Sequence, residues 1–299
     1  MKIVFLGTAA TFPTRERAHT CVALALGAET LLFDCGESAQ RQISIAGLSP
    51  MKISKIFLTH WHGDHVLGLA GMLQSFCMNK RGAPLHIFGP KGTKEHLSYM
   101  LKAFEIKVGF KIIVNELDIK TSKKIDETDE YEIWAAEMQH TVPCLAFSFV
   151  QKPKIKLNID YLEKFGLTRH PILKNLQEGK DIVWKGKKIK ASDATYLKPG
   201  QKIVYAVDTL PNNNLVKLAK DATYFICEAT FMAELREAAA ERGHMTSKQA
   251  GRLAKKARAK QLILTHFSQR YRDIQPLLNE ARSMFKNTIA ARDFLEIKI

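Results

Sequence analysis

An α/β fold with its working residues gathered at strand ends is the class this sequence predicts, and three observations predict it. Short apolar runs end, one after another, in a polar residue: Ile56-Phe57-Leu58-Thr59 in His60, Ile203-Val204-Tyr205-Ala206-Val207 in Asp208, Tyr224-Phe225-Ile226-Cys227 in Glu228, and Leu262-Ile263-Leu264-Thr265 in His266. Stretches of helical spacing lie between those runs. Three His and one Asp crowd into Thr59-His60-Trp61-His62-Gly63-Asp64-His65.

The runs are short, β-branched or aromatic, and apolar on both faces, which describes strands buried between helix layers. Ligand-type residues at their ends predict one site along one edge of a sheet, where open α/β sheets commonly place sites. Val66 to Cys77 reads as a helix following the His cluster, and Met245 to Lys260 as another. In the second, Thr246 or Ser247 can cap the start, and Ala250, Leu253, Ala254 and Ala257 form the apolar side. Arg252, Lys255, Lys256, Arg258 and Lys260 make its remaining surface basic. A strand over Ile133 to Ala136 precedes His140. The segment from Val150 to Lys190 differs: it holds eleven Lys/Arg against four Asp/Glu, and only Asp160 to Leu176 looks weakly helical. It reads as an arm inserted at about 150–190 into a single domain spanning 1–299.

The formal net charge is +15, from 45 Lys+Arg against 30 Asp+Glu, and such an excess attracts polyanions. Nucleic acid comes first and an anionic membrane surface second. Within the arm, Lys152, Lys154, Lys156, Arg169 and Lys174 are the candidates for a phosphate backbone. No apolar run approaches the roughly 20 residues of a spanning helix. The opening Met1-Lys2-Ile3-Val4-Phe5-Leu6-Gly7-Thr8 carries no leader, so a cytoplasmic protein is expected. The five cysteines, Cys21, Cys35, Cys77, Cys144 and Cys227, are odd in number and lack CxxC spacing. They read as reduced, mostly buried thiols, which leaves His and Asp to hold any metal.

The His cluster is the strongest chemical signal. It follows a strand and opens a helix, and Trp61 and Gly63 let the chain turn so that alternate side chains converge. Imidazole and carboxylate are good zinc ligands. One tetrahedral ion needs only three of them plus water, and Asp208, His266 and His140 remain to be used. The surplus argues for two ions, which at roughly 3.5–4 Å apart clamp the attacking and leaving oxygens of an in-line displacement. Asp208, with two carboxylate oxygens, is the natural bridge. His and Asp ligands do not decide zinc against manganese or iron.

His60-x-His62-x-Asp64-His65 resembles the signature of the metallo-β-lactamase superfamily, and the rest of the chain is similar to ribonuclease Z, the tRNA 3′-processing endonucleases. The resemblance rests on Phe5-Leu6-Gly7-Thr8, Pro13-Thr14-Arg15-Glu16-Arg17, Phe33-Asp34-Cys35-Gly36-Glu37 and Phe88-Gly89-Pro90-Lys91-Gly92. It continues in Cys227-Glu228-Ala229-Thr230-Phe231, Gly243-His244-Met245-Thr246, Ala257 to His266, and Asp293-Phe294-Leu295-Glu296. It implies an αββα sandwich with the arm as a tRNA-binding insertion. It further implies one zinc on His60, His62, His140 and Asp208, and a second on Asp64, His65, Asp208 and His266. Asp64 would accept the proton of the attacking water, while Glu228 and His244 pair near the leaving oxygen, where His244 donates a proton. The substrate implied is precursor tRNA, and the assembly a homodimer in which one subunit's arm serves the other's site. The chain departs from the family pattern at Ala18 (Asn in the family), Cys227 (His) and Met245 (Ser), and at the arm tip Gly166 to Lys174.

Two other readings compete. A small-molecule hydrolase of the same fold, such as a lactonase, an arylsulfatase-like enzyme or a cyclic-nucleotide phosphodiesterase, would have no use for the basic arm. An RNA-binding module with a vestigial site would have no use for a full ligand set.

Overall fold

The computed structural model describes residues 1–299. They form two compact units: Met1–Asp126, Ile133–Phe149 and Lys202–Ile299 make the first, Glu127–Glu132 and Val150–Gln201 the second.

The first unit is built on two seven-stranded sheets. One contains β1 (Lys2–Gly7), β2 (Cys21–Ala25), β3 (Thr30–Phe33), β4 (Ile53–Phe57), β5 (Leu85–Pro90) and β6 (Ile112–Leu117), parallel from β3 onward. The other contains β7 (Lys123–Glu127), β8 (Tyr131–Met138), β9 (Cys144–Gln151), β10 (Lys202–Ala206), β11 (Tyr224–Glu228), β12 (Gln261–Thr265) and β13 (Thr288–Ala290), parallel from β10 to β13. A last strand, β14 (Glu296–Lys298), returns to the first sheet beside β1.

The sheets meet face to face through aromatic rings. Phe33 and Phe57 from the first sheet stack at 5.2 Å, and Phe147 and Tyr205 from the second pack against them at 5.3 and 5.6 Å. Burying each ring contributes roughly 1.5–3 kcal/mol. On the far side of the first sheet, α1 (Ala39–Ile45) and α2 (Gly63–Met78) cover Val4, Leu6, Leu32, Ile56 and Ile87. On the far side of the second, α3 (Asn213–Leu218), α4 (Ser247–Lys256) and α5 (Gln275–Met284) cover Val204, Phe225, Leu262 and Leu264. The strands are apolar on both faces because each sheet has helices on one side and the other sheet on its other side. This is the αββα sandwich that the family resemblance implied; the apolar runs alone do not distinguish a helix layer from a second sheet, because both demand the same apolarity.

The helix α2 begins at Gly63, so Asp64 and His65 lie in its first turn. In α4, Thr246 is the cap: its hydroxyl accepts from the Gln249 N–H, and Gln249 accepts in return from the Thr246 N–H at 2.8 Å.

The second unit has a small core of its own, made by Leu162, Leu167, Leu173, Leu176, Ile182 and Ile189. Lys154–Leu157 pairs antiparallel with Thr195–Lys198, and Ile182–Trp184 with Lys187–Ile189. The Asp160–Leu176 stretch forms two short helices, Ile159–Glu163 and Leu173–Gln177, separated by the turn around Gly166 and Pro171. The unit runs on to Gln201, whose carbonyl accepts from the Gln151 N–H at 2.9 Å, so its two ends meet.

Candidate metal centre

Four strand ends and one helix start build the centre, and they come from both sheets. The chain leaving β4 carries His60 and His62 into α2, which supplies Asp64 and His65. β8 leads to His140, β10 to Asp208 and β12 to His266. The site therefore joins the ends of two sheets where the sequence pointed to one sheet edge. His60, His65, Asp208 and His266 are each 0–2% exposed. Asp208 and His266 hold left-handed backbone conformations, with φ of 52° and 60°. Such angles are uncommon outside glycine and persist only where the surroundings impose them.

The ligand atoms of His60, His62 and His140 lie within 4.8 Å of one another, as do those of Asp64, His65, Asp208 and His266. Asp208 spans both groups, with Oδ2 3.2 Å from His60 Nε2 and 2.7 Å from His65 Nε2, and Oδ1 3.2 Å from His266 Nε2.

The residues fit a pair of cations. Burial, above all, pushes His60 and His140 below the usual imidazole range, so both are neutral, the form that binds metal. His140 Nδ1 donates to the Gly243 carbonyl at 3.0 Å, which leaves the lone pair on Nε2 facing His62 Nδ1 at 3.2 Å. His65 Nε2, His266 Nε2 and Asp208 Oδ1 are buried with no aligned hydrogen bond. Buried polar atoms are rarely left so. Burial opposes charge on His65, but Asp208, Asp34 and Asp64 outweigh it and raise its affinity for a proton. A cation held by Nε2 would take the place of that proton. Burial would likewise raise the Asp64 carboxyl, yet His65 and His266 hold it well below the ordinary range.

Asp34 is a site residue to which the sequence reading gave no role. It is fully buried at the end of β3, again with a positive φ of 56°. Its carboxylate accepts from His65 Nδ1 at 2.8 Å, from the Thr59 N–H at 2.7 Å and from the Tyr205 hydroxyl at 2.8 Å. It thereby fixes the tautomer and orientation of His65. The signal was present: the run Thr30–Phe33 ends in a ligand-type residue, Asp34, just as the other runs end in His60, Asp208, Glu228 and His266.

Glu228 and His244 meet beside Asp208. Glu228 is fully buried, accepts from the Thr209 N–H at 2.7 Å and from Thr230 Oγ1 at 2.7 Å, and lies 3.1 Å from His244 Nδ1. Burial pushes His244 down, but Glu228 and Asp208 outweigh it and lift it to about 11. Gly243, just before it, has φ 72°, and a Cβ there would lie 2.6 Å from His140 Nδ1. Cys227 Sγ and Met245 Sδ lie 3.8 Å apart, both buried, so the two departures noted around this pair touch each other.

The basic candidates of the second unit are largely paired. Lys152 bonds Glu127 at 2.7 Å, Lys154 bonds Glu130 at 2.5 Å, and Lys174 lies 3.9 Å from Glu178. Lys156 and Arg169 are exposed. All five cysteines are free thiols, four buried and Cys77 partly so.

Residues 1–160 match a family model described as Anti-Pycsar protein Apyc1. A ribonuclease Z of Methanococcus maripaludis is 40% identical over 92% of this chain and 88% of its own length. A ribonuclease Z of Methanothermobacter thermautotrophicus is 38% identical over 100% of this chain and 97% of its own, and one from Nitrosopumilus maritimus is 36% identical over 100% of both. Among solved structures, human tRNase Z, short form, matches with a TM-score of 0.74 and 28% identity over 100% of this chain and 99% of that one. The metallo-β-lactamase fold protein YhfI from Bacillus subtilis matches with a TM-score of 0.71 at 20% identity, over 99% and 98% of the two chains, a likeness of fold. Since relatives that share more than a third of its residues along its full length are ribonucleases Z, the chain belongs to the ribonuclease Z family, metal-dependent endoribonucleases of the metallo-β-lactamase fold.

Proposed function

We propose that this chain removes the 3′ trailer of precursor tRNA at a two-zinc centre, leaving a 3′ hydroxyl on the tRNA and a 5′ phosphate on the trailer. The observation that carries this reading is the double cluster around Asp208 in a chain of this family. His60, His62, His140 and Asp208 would hold one ion, and Asp64, His65, Asp208 and His266 the other. Bound there, zinc supplies Lewis acidity toward the phosphate and makes water available as a nucleophile near neutral pH. Asp64, kept ionised by its neighbours, accepts the proton of that water. Asp34 holds His65 in place through Nδ1. Glu228 and Asp208 keep the His244 ring charged, and His244 delivers a proton to the departing O3′.

The second unit, with Lys152, Lys154, Lys156, Arg169 and Lys174, supplies contacts to backbone phosphates of the tRNA body. The formal charge of +15 supports a polyanionic substrate. The exposed apolar side chains Ile45, Met51, Leu67 and Met78, on α1, on α2 and between them, suit coverage by a second copy in a homodimer. No helix is long and apolar enough to cross a membrane, and the site of action proposed is the cytoplasm, where tRNA is matured.

The decisive experiment incubates the zinc-loaded protein with a precursor tRNA and maps the cut to the nucleotide, with Asp208→Ala as control. A single cut after the discriminator nucleotide, absent in the control, supports the reading. A small-molecule hydrolase of the same fold is the second reading, because a shared fold does not by itself fix the substrate. Because Gln151 and Gln201 are hydrogen-bonded, residues 152–200 can be excised with little gap to bridge. That excision should abolish tRNA cleavage and spare turnover of a small phosphodiester; if the intact enzyme turns over only small phosphodiesters and leaves precursor tRNA uncut, the second reading replaces the first.

A further inference from the structure

Beside the metal centre, and belonging wholly to the first unit, is a cavity of about 450 Å³ that the ligand set does not use. Cavities of this order suit one small ligand. It is lined by His244, by the buried Thr230 and Phe231, and by the exposed Phe12, Arg242 and Arg270.

Phe12 is 60% exposed, an unusual position for a phenyl ring on a surface of this charge. The loop that carries it is nonetheless tied down at several points. The Ala10 N–H donates to the Phe267 carbonyl at 3.1 Å, and the Phe267 N–H to the Thr8 carbonyl at 2.8 Å. Thr20 Oγ1 donates to the Ala9 carbonyl at 2.8 Å. His19, only 6% exposed, reaches the Thr11 carbonyl through Nε2 at 2.9 Å, while its Nδ1 faces Glu37 at 3.5 Å. A buried histidine thus anchors the residue next to Phe12. The Arg270 guanidinium, which also lines the cavity, lies over the Phe231 ring at 4.9 Å and its Nε donates to Ser268 Oγ at 3.2 Å, so that cation is also held in one place.

We infer that this cavity seats the nucleobase on the 5′ side of the scissile phosphate, stacked on Phe12, with Arg242 and Arg270 taking the backbone phosphate that precedes it. The inference rests on the endonuclease reading above. Its direction follows from His244: the group that protonates the departing O3′ must sit against the ribose bearing that oxygen. The base of that same nucleotide then falls in the cavity His244 lines, and the trailer leaves on the other side. A π-face recognises any of the four bases and prefers none by hydrogen bonding. The cavity should therefore position the cleaved nucleotide without reading its identity.

The test uses the full-length zinc enzyme and a precursor tRNA whose departing oxygen is replaced by methylene, so that it binds uncut. A 2-aminopurine is placed either 5′ or 3′ of the scissile position, and its fluorescence is read on binding. The wild type should quench the 5′ probe and leave the 3′ probe bright. Phe12→Ala should abolish the quenching and weaken binding roughly 5- to 100-fold, the loss of one base–aromatic stack, and Phe12→Tyr should restore both. An abasic site at the 5′ position should weaken wild-type binding to a similar degree and cost Phe12→Ala nothing more. Quenching confined to the 3′ probe, quenching undiminished in Phe12→Ala, or additive losses from the abasic site and the substitution would overturn the assignment. Cleavage of the unmodified precursor by the wild type, measured in parallel, tests the endonuclease reading separately. Phe12 is exposed, so its removal leaves the folded core intact.

Discussion

Asp34 shows how much of this centre is decided by a residue that need not touch an ion. Its carboxylate gathers His65, Thr59 and Tyr205, and without it the His65 ring has no reason to keep Nε2 turned inward. Outer partners of this kind typically change metal affinity 10- to 100-fold. Asp34→Asn is therefore expected to weaken zinc binding by about that factor, in chelator competition, while its circular dichroism spectrum stays that of the wild type. The candidate ligands His60, Asp208 and His266 were legible in the sequence because each stands at the end of an apolar run, and His62, Asp64 and His65 because they crowd beside His60. Asp34 carried the same signature, but one more acid among 30 Asp+Glu has no chemical label until its neighbours are placed. Phe12 and His19 were not legible at all, since an exposed ring and a buried imidazole look alike in a loop. Cys227 and Met245 stood out only singly; their contact is a property of the fold.

Among the elements, the strand pattern was readable because burial on both faces leaves an unbroken apolar run, as in β10, β11 and β12. What covered those faces was not readable, because a helix and a second sheet impose the same apolarity. Helix starts were displaced for a physical reason: α2 begins at Gly63, and its first turn is occupied by the polar candidate ligands Asp64 and His65, where the apolar period has not yet begun. The carboxy-terminal Asp293 illustrates a tie between elements. It accepts from Thr8 Oγ1 and from the Ala18 N–H, both at 2.7 Å, and so closes the loop that holds Phe12. Burial pushes its carboxyl up to about 6 despite those bonds. A raised folded pKa means that the folded state binds the extra proton between the unfolded value near 4 and about 6. This contribution to stability is complete below pH 4 and is lost as pH rises through 6. The difference in unfolding free energy between wild type and Asp293→Asn should therefore shift against the wild type by up to about 3 kcal/mol across that window and stay level above it, as measured by urea titration.

For the whole molecule, charge sets the relation to substrate. The excess of cations acts on phosphate through released counterions, so affinity for precursor tRNA should fall at least about tenfold between 50 and 200 mM salt. Excising residues 152–200 should flatten that dependence, which filter binding over a salt series will read. The ion pairs of Lys152 and Lys154 reduce the number of cations the second unit has at hand, so the slope should be shallower than a count of its lysines suggests. A further consequence follows from the left-handed backbones of Asp34, Asp208 and His266. Each costs on the order of 1–3 kcal/mol, which glycine at the same place would not incur. In the absence of ions, the like-charged and unpaired groups converging on Asp208 add to that cost. At Asp34 the three buried donors its carboxylate satisfies outweigh that backbone cost, but at Asp208 and His266 folding stability and metal binding pull in opposite directions. A library of variants selected for heat resistance alone, with no demand for turnover, would drift toward glycine there, and the chains that lasted longest would be those that had stopped being enzymes.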